Sequence, residues 1–200
     1  MKSAILAGGA ATRFDGKPKG LEKVGGERIL DRLIRSVQVA SGSAPLLVAN
    51  DDRAATWAEG LTVKKDLMPG CGALGGIYTA LAESTEPVLI VAWDMPFIPG
   101  ELLELLIKNA GEYDVYLPES LGPRGVEPLC GVYGPGATNP LLAALVDEDF
   151  RTDSFHDKVR VGSLPLDDVK RFGDPETIFF NVNSPSELEQ AEELWRNKHA

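Results

Sequence analysis

Val88-Leu89-Ile90-Val91-Ala92 is followed at once by Trp93-Asp94-Met95-Pro96-Phe97. An uninterrupted apolar run of that length reads as a strand buried on both faces, the situation of a central strand in a parallel sheet. The run stops at Asp94, which sets a carboxylate at the strand's carboxyl end. Toward the N-terminus, Ser3 to Leu6 is a short apolar strand, Leu46-Leu47-Val48-Ala49 a second buried strand and Leu61 to Lys65 a third. Between them Ile29, Leu30, Leu33, Ile34 and Val37 recur at helical spacing, and Leu74 to Leu81 is helical behind a glycine loop. Toward the C-terminus, Leu102, Leu103, Leu105 and Leu106 form a helix face, followed by strands at Val115-Tyr116-Leu117 and Leu129 to Tyr133.

Beyond Tyr133, Leu141, Leu142, Leu145 and Val146 suit a helix, Asp147 to Lys158 is polar and read as mobile, and Ile178 to Val182 reads as a strand. Ser184-Pro185-Ser186-Glu187 is a capping box with proline at the first helical position, opening a last helix that runs to about Trp195. This alternation predicts an α/β chain: one domain with a three-layer, Rossmann-like fold and a mostly parallel central sheet covered by helices on both faces. Ligands of such sheets sit beyond the carboxyl ends of the strands, which singles out the loops at 7–26, 66–73 and 94–99.

Two hundred residues, 44% hydrophobic and 25% charged, suit one globular domain rather than a disordered chain. Lys and Arg number 20 against 30 Asp and Glu, a net charge of −10, which argues against a broad footprint on nucleic acid or anionic lipid. Cys71 and Cys130 stand far apart with no Cys-x-x-Cys, so neither a zinc site nor a disulfide framework is expected. The apolar run at the N-terminus is too short for a signal sequence and no 18-residue apolar stretch follows, so the expected location is cytoplasmic.

The long loop from Ala7 to Gly26 holds Gly8, Gly9, Gly16, Gly20, Gly25 and Gly26 among Arg13, Lys17, Lys19 and Lys23. Glycines let main-chain N–H groups approach anionic oxygens, and cations reinforce the field, so the composition points to phosphate binding. Two common phosphate motifs fail. The G-x-x-x-x-G-K-[ST] pattern meets Ala11 and Pro18, and the G-x-G-x-x-G fingerprint meets Ala10 and Arg13.

Leu6-Ala7-Gly8-Gly9, then Arg13-Phe14, then Lys17-Pro18-Lys19-Gly20-Leu21 resembles the signature loop of nucleotidyltransferases of the molybdenum cofactor guanylyltransferase type, the molybdopterin-guanine dinucleotide synthases. Three further segments carry the resemblance over nearly the whole chain. Asp66 to Ile77 is similar to the family's second glycine-rich segment, Asp94-Met95-Pro96-Phe97 to its acidic metal motif, and Phe180-Asn181-Val182-Asn183-Ser184-Pro185 to its Asn-Val-Asn-Thr-Pro element. The chain departs from the pattern at Trp93, where Cys is usual, at Lys17-Pro18, which replaces Gly-x-Asp, and at Cys71, where Pro is usual.

The resemblance implies transfer of GMP from GTP to the phosphate of molybdopterin, with release of pyrophosphate. Two anions must meet, so the chemistry needs charge neutralisation and in-line positioning rather than a covalent nucleophile. By resemblance, Arg13, Lys19 and Asp94 carry catalysis, with Asp94 holding Mg²⁺. Leu6, Ala7, Gly8 and Gly9 offer backbone groups to the nucleotide, Asn50 and Asp66 meet the base or ribose, and Asn181 and Asn183 alternate on one strand face near the metal edge, Asn183 as a second metal or phosphate ligand. Residues 1–100 would bind nucleotide and 101–200 the acceptor, with Glu127-Pro128-Leu129 and Arg124 on the pterin side. Molybdenum-insertion proteins and target molybdoenzymes are the implied partners. The alternatives are a relative that uses CTP or another acceptor, such as a sugar phosphate, and a GTP-binding carrier of the pterin without chemistry.

Overall fold

The computed structural model describes residues 1–8 and 18–199. Strands β1 (Lys2–Leu6), β4 (Leu46–Val48), β5 (Val63–Lys64), β6 (Val88–Ala92), β7 (Val115–Pro118), β8 (Cys130–Tyr133) and β9 (Val161–Leu164) form a seven-stranded sheet in the order β5-β4-β1-β6-β8-β7-β9. β8 runs antiparallel to both its neighbours and every other pairing in the sheet is parallel. The expected α/β domain with a mostly parallel sheet is therefore what forms.

The two-residue period of the strands accounts for the layers. Ile5, Leu47, Leu89 and Val91 point into one core, shared with α1 (Ile29–Ser41), α3 (Gly100–Asn109) and α7 (Pro185–Lys198). Ala4, Leu6, Val48, Val88 and Ile90 point into the opposite core with α2 (Gly72–Ala82) and α4 (Thr138–Val146). Every residue of β6 is buried, as its apolar run required. Cys71 and Cys130 are free, buried thiols. Among the described residues no helix is long and apolar enough to cross a membrane.

Three expectations need correction. The strand expected at 178–182 does not form: beyond the short helix α5 (Leu166–Val169), a single helical turn, α6 (Pro175–Ile178), opened by proline and capped by the Asp174 side chain, takes its first residue. Residues 179–183 then run irregularly, tied to the site by Val182 N–H donating to the Asp94 carbonyl at 2.8 Å. The loop from Ala7 to Gly26 is not wholly irregular either. Lys19–Leu21 forms a 3-10 turn, and β2 (Lys23–Val24) pairs with β3 (Glu27–Arg28) across Gly25 and Gly26, whose φ values of 61° and 79° suit a two-residue hairpin turn. Finally, the polar stretch 147–158 is anchored, because Phe155 within it is fully buried in the α2/α4 core.

Sequence missed β9, which pairs with β7 from Val115↔Val161 to Pro118↔Leu164. Its burial alternates, but its middle pair, Gly162-Ser163, gives no apolar signal.

Candidate active site

Register places the site. Leu6 pairs with Val48 on one side and Ala92 on the other, so the carboxyl ends of β1, β4 and β6 lie level. The residues that follow those ends, Ala7-Gly8, Ala49-Asn50 and Trp93-Asp94, emerge along one sheet edge and line a cavity of about 630 Å³. Lys19 and Asp66 join this wall, with Gly70, Gly72, Ala73 and Gly76 from the second glycine segment. Gly70 and Gly72 hold φ values of 88° and 61°, which residues with a Cβ adopt only under strain. They deliver the N-terminal turn of α2 to the cavity with no side-chain cap, so its N–H groups and positive dipole end are available to an anion.

Three segments distant in sequence meet at one end of this cavity. Lys19 Nζ donates to Asp94 Oδ2 at 2.5 Å and to Asn183 Oδ1 at 2.6 Å. Asn183 is held by its own N–H donating to Glu187 Oε2 at 2.7 Å, and Ser184 caps α7 by accepting from Glu187 N–H. Asn183 thus reaches the site as the residue before a helix cap rather than from a strand face. Asn181 does not join the cluster: its amide donates to the Phe179 carbonyl at 2.9 Å and braces its own loop.

Asp94 Oδ1 is buried and has no hydrogen-bond partner among the described residues. An orphaned carboxylate oxygen beside this cavity fits a divalent cation that takes one carboxylate from the protein and its other oxygens from phosphates and water. No group of three or more His, Cys, Asp or Glu among the described residues offers a self-sufficient metal cage. Gly9 and Arg13 lie outside the described residues.

At the other end, Asn50 and Asp66 lock together. Asn50 Nδ2 donates to Asp66 Oδ2 at 2.7 Å, and Asn50 Oδ1 accepts from Asp66 N–H at 2.9 Å. One amide hydrogen and one carbonyl lone pair of Asn50 remain for a ligand. Burial pushes the Asp66 carboxyl above its ordinary value, against the Asn50 hydrogen bond that pulls it down.

The sequence reading missed Trp57, which stacks on Trp93 with ring centroids 5.2 Å apart and lines the same cavity. A lone tryptophan between polar turns carries no periodic signal, and the pairing depends on a 3-10 turn at Ala54–Thr56. Leu129 also lines the cavity, through its carbonyl bond to Ala92 N–H at 2.8 Å, and Glu127 Oε1 accepts from Leu129 N–H at 3.2 Å. Burial holds the Glu127 carboxyl above its usual range. The Leu129 hydrogen bond opposes that shift, the charge of Asp94 adds to it and that of Arg124 opposes it.

Residues 3–159 match the MobA-like NTP transferase domain. The chain belongs to the MobA-like NTP transferase family. Among relatives of this NTP transferase, the probable molybdenum cofactor guanylyltransferase of Pelotomaculum thermopropionicum is 32% identical over 96% of this chain and 92% of its own length. That of Carboxydothermus hydrogenoformans is 33% identical over 94% and 92%. The crystal structure of molybdopterin-guanine dinucleotide biosynthesis protein A from Archaeoglobus fulgidus superposes with a TM-score of 0.81 at 27% identity, covering 98% of the NTP transferase and all of that chain.

Proposed function

We propose that this NTP transferase is a guanylyltransferase that moves GMP from GTP onto the phosphate of molybdopterin. The names of its relatives and the shape of the cavity support the reading. The observation that carries it is the convergence of Lys19, Asp94 and Asn183 at one end of a cavity whose other end holds the Asn50–Asp66 pair.

In this reading a phosphate oxygen of molybdopterin attacks the α-phosphorus of GTP. A P–O bond forms there as the bond to the bridging oxygen of the β-phosphate breaks, and pyrophosphate leaves. Lys19 exchanges its carboxylate partner for phosphate oxygens, and the uncapped start of α2 lends its N–H groups to the same charge. Asp94 would hold Mg²⁺ through Oδ1, with Asn183 beside it; the ion, when bound, supplies positive charge to the phosphates and fixes their orientation. Guanine offers N1–H and an amino group as donors, which a carboxylate oriented like that of Asp66 accepts, while the free amide hydrogen of Asn50 suits O6. The acceptor enters from the side of Glu127 and Arg124. A cytoplasmic location, and hand-over to molybdenum-insertion proteins and molybdoenzymes, belong to the same proposal.

Thermal-shift titration with GTP, CTP and ATP in the presence of Mg²⁺ tests the base assignment. GTP should stabilise most; stabilisation by CTP alone would reject guanylyl transfer in favour of a cytidylyl relative.

A further inference from the structure

Trp93, which precedes Asp94 at the end of β6, places its indole against two separate parts of the glycine-rich loop and against a second indole. Its Nε1–H donates to the Gly8 carbonyl at 3.2 Å. Its six-membered ring lies so close over Gly20 that a Cβ at that position would overlap it. Trp57 stacks on it at an interplanar angle of 20°. Both indoles are almost fully buried, yet both line the nucleotide cavity. One side chain thus touches the chain on either side of residues 9–17: Gly8, where β1 opens into the glycine loop, and Gly20, the neighbour of Lys19 in the 3-10 turn.

A buried indole N–H needs an acceptor, and here it takes a carbonyl of the loop that meets the nucleotide. The ring leaves no room for a side chain at position 20, so the glycine there admits an indole that reaches both Gly8 and Gly20. We infer that Trp93 is a positioning residue for nucleotide capture, its indole, braced by Trp57, fixing Gly8 and the Lys19-Gly20 turn in the relation a bound triphosphate needs. The inference deepens the proposed function and rests on it only in taking the ligand to be a nucleoside triphosphate.

Trp195 lies outside the cavity, so Trp195→Phe leaves Trp57 and Trp93 as the remaining indoles of the chain's three. In that background, GTP with Mg²⁺ should quench the emission and alter the indole exciton couplet in circular dichroism, without molybdopterin present. Adding Trp93→Phe keeps an aromatic ring and removes the N–H donor together with part of the indole's bulk. The dissociation constant and KM for GTP should then rise about 3- to 10-fold, the loss of one hydrogen bond, with kcat within about twofold. Trp93→Ala should weaken GTP further and also lower kcat, because the turn that carries Lys19 loses its cover. Gly20→Ala should destabilise the protein, and the added Trp93→Cys change should recover the melting temperature without recovering GTP affinity.

A Trp93→Phe protein with unchanged GTP affinity and KM, or a Trp93→Ala protein that only melts earlier, would overturn the positioning role. Wild-type protein that binds GTP yet transfers no GMP would overturn the function instead and leave the binding comparison intact. Failure of the wild type to bind GTP would overturn both.

Discussion

Lys19 Nζ and Asp94 Oδ2 are 2.5 Å apart, with 14% and 12% of their side chains exposed. A pair this sheltered is held by mutual neutralisation, and removing one partner strands the other in a poorly hydrated place. In the proposed reaction each partner is also what the chemistry requires once a polyanion and a divalent cation arrive, so the free protein would hold those two charges against each other.

Asp94→Ala should lower turnover with GTP and molybdopterin by about 10²–10³-fold while circular dichroism remains that of the wild type. Lys19→Ala should weaken GTP binding by about 10- to 100-fold, the scale of a charge-assisted hydrogen bond. Urea unfolding of both single variants and the double variant should give a cycle in which the double change costs less than the sum of the single ones. Strict additivity would mean that the ion pair contributes nothing to the fold.

Asn50 holds Asp66 by two hydrogen bonds. Asn50→Ala removes both, and the carboxylate loses its orientation. GTP affinity, read by calorimetry, should fall about 10-fold, the worth of a hydrogen bond to a charged group, and the preference for GTP over ATP should narrow. An unchanged preference would remove both residues from base recognition.

Glu127 gives the pH prediction. Burial raises its carboxyl above the ordinary value, so the folded protein retains a proton that the unfolded chain has already released. The associated stability is complete below the ordinary carboxylate value and is lost as pH rises through the raised one. Glu127→Gln cannot ionise, so its melting temperature relative to wild type should be higher near pH 8 than near about pH 4. A difference that does not vary with pH would contradict this.

Gly25 turns the hairpin at φ 61° directly against the indole of Trp195, while Gly42 closes α1 at φ 74° in open space. Gly42→Ala should cost about 1–2 kcal/mol, the left-handed penalty alone. Gly25→Ala should cost about 1–3 kcal/mol more from overpacking. Equal losses in chemical denaturation would show that Trp195 moves aside freely.

The parallel sheet was legible because β6 is apolar on every residue, which only a doubly covered strand can sustain. Asp94, Lys19, Asp66 and Asn50 were legible as polar residues at strand ends or among glycines, and the structure brings all four to one cavity. The strand at 178–182 misled because Ile178-Phe179-Phe180 is apolar enough for a strand, while Asp174-Pro175 just before it starts a helical turn. That error placed Asn181 and Asn183 together, when a backbone bond from Val182 to Asp94 delivers only Asn183 to Lys19. The Trp57–Trp93 stack was out of reach, since no period relates two residues brought together by separate loops.

Guanylyl transfer carries the α-phosphorus of GTP into the pterin product, and isotope placement reads that out. Protein, molybdopterin and Mg²⁺ are incubated with GTP labelled either at the α- or at the γ-phosphorus, and the pterin product and pyrophosphate are separated. Guanylyl transfer requires α-label in the pterin product and γ-label in pyrophosphate, each appearing about 10²–10³-fold more slowly with Asp94→Ala protein. Label in the pterin from CTP but not GTP, γ-label in the pterin, or full transfer by Asp94→Ala protein would contradict it.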